Sequence, residues 1–165
     1  MKDFKQINFD TNRKNLFTIS VNRPPKFAQI GLIITIMISL LIPIIVLTLM
    51  LINRAELKIG IFVLFGIFGL ISFYLFRVWT WNQNGKEVFE IGKENIKYYA
   101  DYKHFKDGRQ QIDKSDIQFE INELIDGKEK YGQLLISNET EKIESCIRVK
   151  PNELKELIER LKNYA

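Results

Sequence analysis

Two long apolar runs, Ala28 to Ile52 and Gly60 to Phe76, constrain this chain more than any other feature, because neither contains an acidic or basic residue. Only the bridge Asn53-Arg54-Ala55-Glu56-Leu57-Lys58 and Ile59 separate them. At a rise of about 1.5 Å per helical residue, each run is long enough for a hydrocarbon core of roughly 30 Å. The pattern predicts a membrane α-helical hairpin over 27–82, with spans at 28–52 and 58–79. It divides a cytoplasmic N-terminal segment, 1–26, from a water-facing region, 83–165.

Charge supports that division better than bulk composition does. Residues 1–26 carry six basic and two acidic side chains, 27–82 three and one, and 83–165 fifteen and seventeen. The overall excess of +4 therefore sits beside the apolar runs, while the tail is slightly acidic. This distribution reads as membrane topology and attraction to lipid headgroups, not as nucleic-acid binding. Arg13, Lys14, Arg23 and Lys26 precede the first span, and Arg77, Lys86, Lys93 and Lys97 follow the second, against Arg54 and Lys58 in the loop. The positive-inside rule then places both termini in the cytoplasm. The first run is too long and starts too late for a cleaved signal peptide. A single cysteine, Cys146, allows no internal disulfide and fits a reduced compartment.

Pro24-Pro25 blocks helix upstream of the first span, so that helix is expected to begin near Phe27. Gly31, Thr35, Ser39 and Pro43 recur every four residues, and Gly66, Gly69 and Ser72 offer a comparable face on the second span. Such stripes let helix backbones approach closely. They serve either to pack the hairpin against itself or to dock a second copy or a membrane-protein partner. Pro43 is expected to kink or break its helix. Lys26, Arg77, Trp79 and Trp81 have the composition of an interfacial anchor, with indoles at headgroup level and cations reaching outward. No ionisable group lies at the centre of either span, which argues against a transport path.

After Gly85 the apolar period changes from helical to alternating. Strands are predicted at Glu87–Ile91, over 96–102, in a run ending at Ile112, over 117–122, at Tyr131–Ser137 and over 143–149. Asp107-Gly108 and Asp126-Gly127 are hairpin-turn signals. Leu154, Leu157, Ile158 and Leu161 then form one apolar stripe, predicting an amphipathic helix over 152–163 that starts at Pro151 and Asn152. The expected unit is α+β: a bent antiparallel sheet of about six strands, capped by the C-terminal helix.

Strands followed by one C-terminal amphipathic helix, placed after two spans, resemble small bacterial membrane proteins that carry a pleckstrin-homology-like (PH-like) domain. The string Arg77-Val78-Trp79-Thr80-Trp81-Asn82-Gln83-Asn84-Gly85-Lys86-Glu87 is similar to the junction of span and domain in uncharacterised members of that group. Seven strands are typical of the fold, and Asn15 to Val21 alternates in part and offers an extra one. The resemblance implies a bacterial inner-membrane location and a non-enzymatic module that binds lipid headgroups, peptides or proteins.

The residues offer little catalytic chemistry. His104 is the sole histidine and sits beside Lys106-Asp107-Gly108-Arg109, with no His/Cys cluster to hold a metal. Cys146 would need His104 beside it to act as a nucleophile, and reads as a bland cysteine. No glycine pattern matches a phosphate loop, so no nucleotide or other cofactor is expected. Lys97, Lys103, Lys106, Arg109 and Lys114 lie on or next to the predicted Asp107-Gly108 hairpin and are candidate contacts for anionic headgroups. Interleaved Asp101, Asp107, Asp113 and Asp116 give the alternative of a solvated face. The expected partners are membrane lipids and a membrane protein or a second copy. The alternatives are an accessory, scaffold or immunity subunit docking through the hairpin, and, less favoured, a membrane enzyme.

Overall fold

The computed structural model describes residues 6–10, 15–54, 56, 58–126 and 129–162. In chain order the elements are β1 (Ile7–Phe9), β2 (Leu16–Ser20), α1 (Lys26–Ile52), α2 (Ile59–Asn84), β3 (Lys86–Ile91), β4 (Asn95–Asp101), β5 (Lys106–Asp113), β6 (Gln118–Asp126), β7 (Glu129–Ser137), β8 (Lys142–Glu144) and α3 (Pro151–Lys162). They form two compact units: Arg23–Gln83 is one, and Met1–Asn22 together with Asn84–Ala165 is the other.

The first unit is the pair α1 and α2. Both helices are long and apolar enough to cross a membrane. Their side chains mostly face outward: Phe27, Ile52 and Leu70 are 77%, 71% and 72% exposed. Exposed apolar side chains of this kind suit a lipid solvent. α1 runs through Pro43 without interruption, so the break allowed for in the sequence does not occur. α2 extends past residue 79 to Asn84, which places Trp79 and Trp81 within the helix.

The second unit contains an antiparallel sheet in the order β1-β2-β3-β4-β5 and a three-stranded sheet in the order β6-β7-β8. The expectation of one sheet with about six strands is therefore corrected to eight strands in two sheets among the described residues. β1 was missed because three residues are too few to display an alternation. The partly alternating segment after Asn15 is β2, and it pairs with β3 from Leu16↔Glu90 to Ser20↔Lys86. Across β1 to β4, Phe9, Phe17, Phe89 and Tyr98 are successive register partners. Phe17 and Phe89 stack at 4.7 Å between centroids, and Phe89 meets Tyr98 at 5.1 Å. Cross-strand aromatic pairs of this kind fix the register of a sheet.

The C-terminal helix closes the core. Leu154, Leu157, Ile158 and Leu161 are buried with Ile19, Ile96, Ile112, Leu134, Ile136 and Ile143. Glu153 sits in the first turn, and Arg160 and Lys162 in the last, as the helix dipole favours. α3 begins at Pro151, with Asn163 outside the described residues. The Asp126-Gly127 turn signal also falls partly outside them, since Gly127 lies there.

Two turn and strand expectations are corrected. Asp107-Gly108 lies inside β5, and the chain reverses over Tyr102–Phe105, where Lys103 takes φ 77 and Tyr102 N–H donates to the Phe105 carbonyl at 3.0 Å. Gly108, with φ 61, instead accommodates a bulge: Tyr98 pairs Gln110 and Ala100 pairs Asp107, so Gly108 and Arg109 together oppose Tyr99. The final strand is shorter than its alternation suggested. β8 ends at Glu144, and Val149 rejoins the sheet through a bridge to Gly132.

Candidate functional site

The outer face of β3, β4 and β5 holds a groove of about 380 Å³ whose lining includes Glu90, Lys97, Tyr99, Lys106, Arg109 and Gln111. Strand alternation explains the chemistry of this face. Ile96 and Tyr98 point into the core, so Lys97 and Tyr99 point out, and Lys97 stands opposite Glu90 on β3 and Gln111 on β5. The Gly108 bulge adds one residue to β5 and brings Arg109 level with Tyr99. Lys106 Nζ lies 4.6 Å from the centroid of the Tyr99 ring, a cation–π contact. Tyr99 in turn donates its hydroxyl to Glu90 at 3.2 Å. Neither Lys97 nor Arg109 has an ion-pair partner among the described residues. A smaller recess of about 240 Å³ adjoins the groove and shares Glu90 and Lys97 with it.

The five candidate cations thus separate. Lys97, Lys106 and Arg109 share the groove. Lys103 occupies the β4–β5 reversal, and Lys114 follows the other end of β5, where its N–H donates to the Glu94 carbonyl. Of the interleaved acids, Asp101 pairs with Lys86 at 3.5 Å and caps the reversal by accepting from Lys103 N–H at 2.8 Å.

A second polar cluster lies in the core and was not singled out from the sequence. Glu87 is fully buried on the inward face of β3, in phase with Phe89 and Ile91. Its carboxylate accepts from Tyr98 Oη at 2.8 Å, from the Cys146 N–H at 2.6 Å and from Ser145 Oγ. Burial pushes the Glu87 carboxyl above its ordinary value by more than these donors bring it down. Burial and the neighbouring Glu87 also push up the Tyr98 hydroxyl. The signal was present in the sequence: an acid at the inward phase of an alternating strand needs donors, and a serine on a buried stripe supplies one.

This cluster does not have the layout of a nucleophile. Burial and Glu87 push the Cys146 thiol up, away from thiolate, and His104 is exposed in the β4–β5 reversal. No group of three or more His, Cys, Asp or Glu able to hold a metal occurs among the described residues.

In the helical unit the small-residue positions divide. Ser39, Pro43 and Ser72 are buried, Ser72 Oγ donates to Ser39 Oγ at 2.9 Å, and Ser39 Oγ reaches the Phe68 carbonyl at 3.4 Å. Gly31, Thr35, Gly66 and Gly69 are exposed, and a Cβ added at any of the three glycines would meet nothing within 4 Å. The reason is periodic. The covered positions of α1 are Gln29, Leu32, Ile36, Ser39, Ile42, Pro43, Val46, Leu47 and Met50, built on a three-four spacing that a strict every-fourth stripe meets only at Ser39 and Pro43. Lys26 is exposed at the start of α1, while Arg77, Trp79 and Trp81 are half-buried near the end of α2, with Trp79 against Phe76 at 5.8 Å. Gln83 Nε2 donates to Gln29 Oε1, tying the same end of the pair together. No family model matches the chain, and neither a curated protein nor a solved structure does.

Proposed function

We propose that this chain is a non-enzymatic integral membrane protein whose sheet unit binds a partner at the membrane surface through the β3–β5 groove. The observation that carries the reading is the position of the hairpin in the sheet. β2 and β3 are hydrogen-bonded neighbours, yet α1 and α2 lie between them in sequence. Ser20 and Lys86 must therefore share one side of any bilayer the chain crosses, which requires two crossings or none. Two apolar helices with outward-facing side chains supply two.

The flanking charge orients the sheet unit to the cytoplasm by the positive-inside rule. The order β2–β8 followed by α3 agrees in number with the seven strands and closing helix of a PH-like domain, which supports that reading and, with it, a bacterial inner-membrane location. Lys97 and Arg109, without ion-pair partners among the described residues, favour recognition over catalysis beside this groove. Purification of the intact protein from its native membrane in mild detergent, with mass spectrometry of proteins and lipids, tests the reading. The expected result is a stoichiometric protein or enriched anionic lipid that is lost in the Lys97→Ala/Arg109→Ala variant. Recovery of the same companions with that variant overturns it.

A further inference from the structure

We infer that the β3–β5 groove takes a phosphate monoester carried on a small hydroxylated body. The inference rests on the reading of the sheet unit as a binding module and names the chemistry that module recognises. Three cations and one carboxylate line the groove, a net of two positive charges. A phosphate monoester carries about −1.5 to −2 at neutral pH and matches that excess, whereas a phosphodiester or a carboxylate brings only one charge.

The geometry points the same way. The Gly108 bulge brings Arg109 level with Tyr99 on the groove they both line, and the planar fork of N–H donors that Arg109 carries suits the oxygens of a phosphate. Lys106 is held over the Tyr99 ring at 4.6 Å and is thereby positioned before any ligand arrives. Glu90 uses Oε1 to accept from Tyr99, which leaves Oε2 for a ligand hydroxyl. A volume of about 380 Å³ accommodates a phosphate with a body the size of a glycerol or a sugar. An extended peptide fits less well. β5 is the edge of its sheet, but a bulge and the charged Lys106 and Arg109 are the devices by which an edge refuses another strand.

The test uses the full-length protein in mild detergent, titrated by calorimetry with glycerol phosphate, with its methyl phosphodiester, with short-chain phosphatidic acid and with an acidic hexapeptide. Glycerol phosphate is expected to bind about tenfold tighter than the diester, and Lys97→Ala/Arg109→Ala to weaken it by about tenfold or more. Equal affinity for glycerol phosphate and phosphatidic acid assigns the site to a soluble ester, and tighter binding of phosphatidic acid assigns it to a lipid headgroup. Equal binding of monoester and diester, preference for the peptide, or an unchanged affinity in the double variant overturns the inference. If the monoester fails to bind while the double variant still loses its copurifying companion, the ligand class is wrong and the binding-module reading stands. If the variant changes neither, both fall.

Discussion

Glu87 shows how one residue sets a condition on the whole sheet unit. Its raised carboxyl is protonated more readily in the folded state than in the unfolded one. The stability it contributes is therefore complete below about pH 4.5, its ordinary value, and is lost as pH rises through the elevated folded value. Thermal midpoints of the detergent-solubilised protein should fall from pH 5 to pH 8, and Glu87→Gln should flatten that slope, since an amide oxygen still accepts from Tyr98 and Cys146. Glu87→Ala should cost about 2–3 kcal/mol at low pH, because three buried donors lose their acceptor, and less as pH rises through the elevated value. Gly132 is a second sensitive position. A Cβ there would stand 2.6 Å from Ile121 Cγ2 and 2.9 Å from Leu154 Cδ1, so Gly132→Ala should destabilise by about 1–3 kcal/mol through overpacking between β7 and α3. Gly108→Ala has open space around its Cβ but a strained φ of 61; a loss of about 1 kcal/mol is expected, read by the same thermal scan.

At the scale of elements, the two apolar helices were legible from the length of their uncharged runs, and α3 because its side-chain period persists over its turns. β3, β4, β6 and β7 were legible for the same reason. The Asp107-Gly108 pair misled because a glycine at positive φ serves a bulge as well as a turn, and only pairing with Tyr98 and Ala100 distinguishes the two. The groove was half legible. Strand alternation alone places Lys97 with Tyr99, but the arrival of Arg109 on their face depends on the bulge. The four-residue stripe on α1 was visible, yet the helix pair covers a three-four seam that meets it only at Ser39 and Pro43. Ser72→Ala should therefore weaken hairpin packing by only about 0.6 kcal/mol, checked by the midpoint in a denaturing detergent titration. Leu157→Ala, at the centre of the α3 stripe, should cost about 2–5 kcal/mol.

For the whole molecule, the two proposed crossings fix where reagents can reach. In a Cys146→Ala background, a cysteine at Asn22 should react with an impermeant maleimide from the same face of sealed vesicles as native Cys146 does in the parent. A cysteine at Asn53 should react from the opposite face. Labelling of all three from one face would remove the two crossings. On that proposed topology the crossings also order the events by which the molecule is made. β1 and β2 leave the ribosome before α1, but their neighbour β3 follows α2, so the sheet has no complete partner set until both apolar helices have been synthesised. A nascent chain that inserted only one helix would strand β2 and β3 on opposite sides of the bilayer, with Phe17 and Phe89 left uncovered. On the proposed topology, integration of both helices is thus a prerequisite for the sheet to close, and a chain that failed it would display the unpaired strand edges that quality-control proteases recognise.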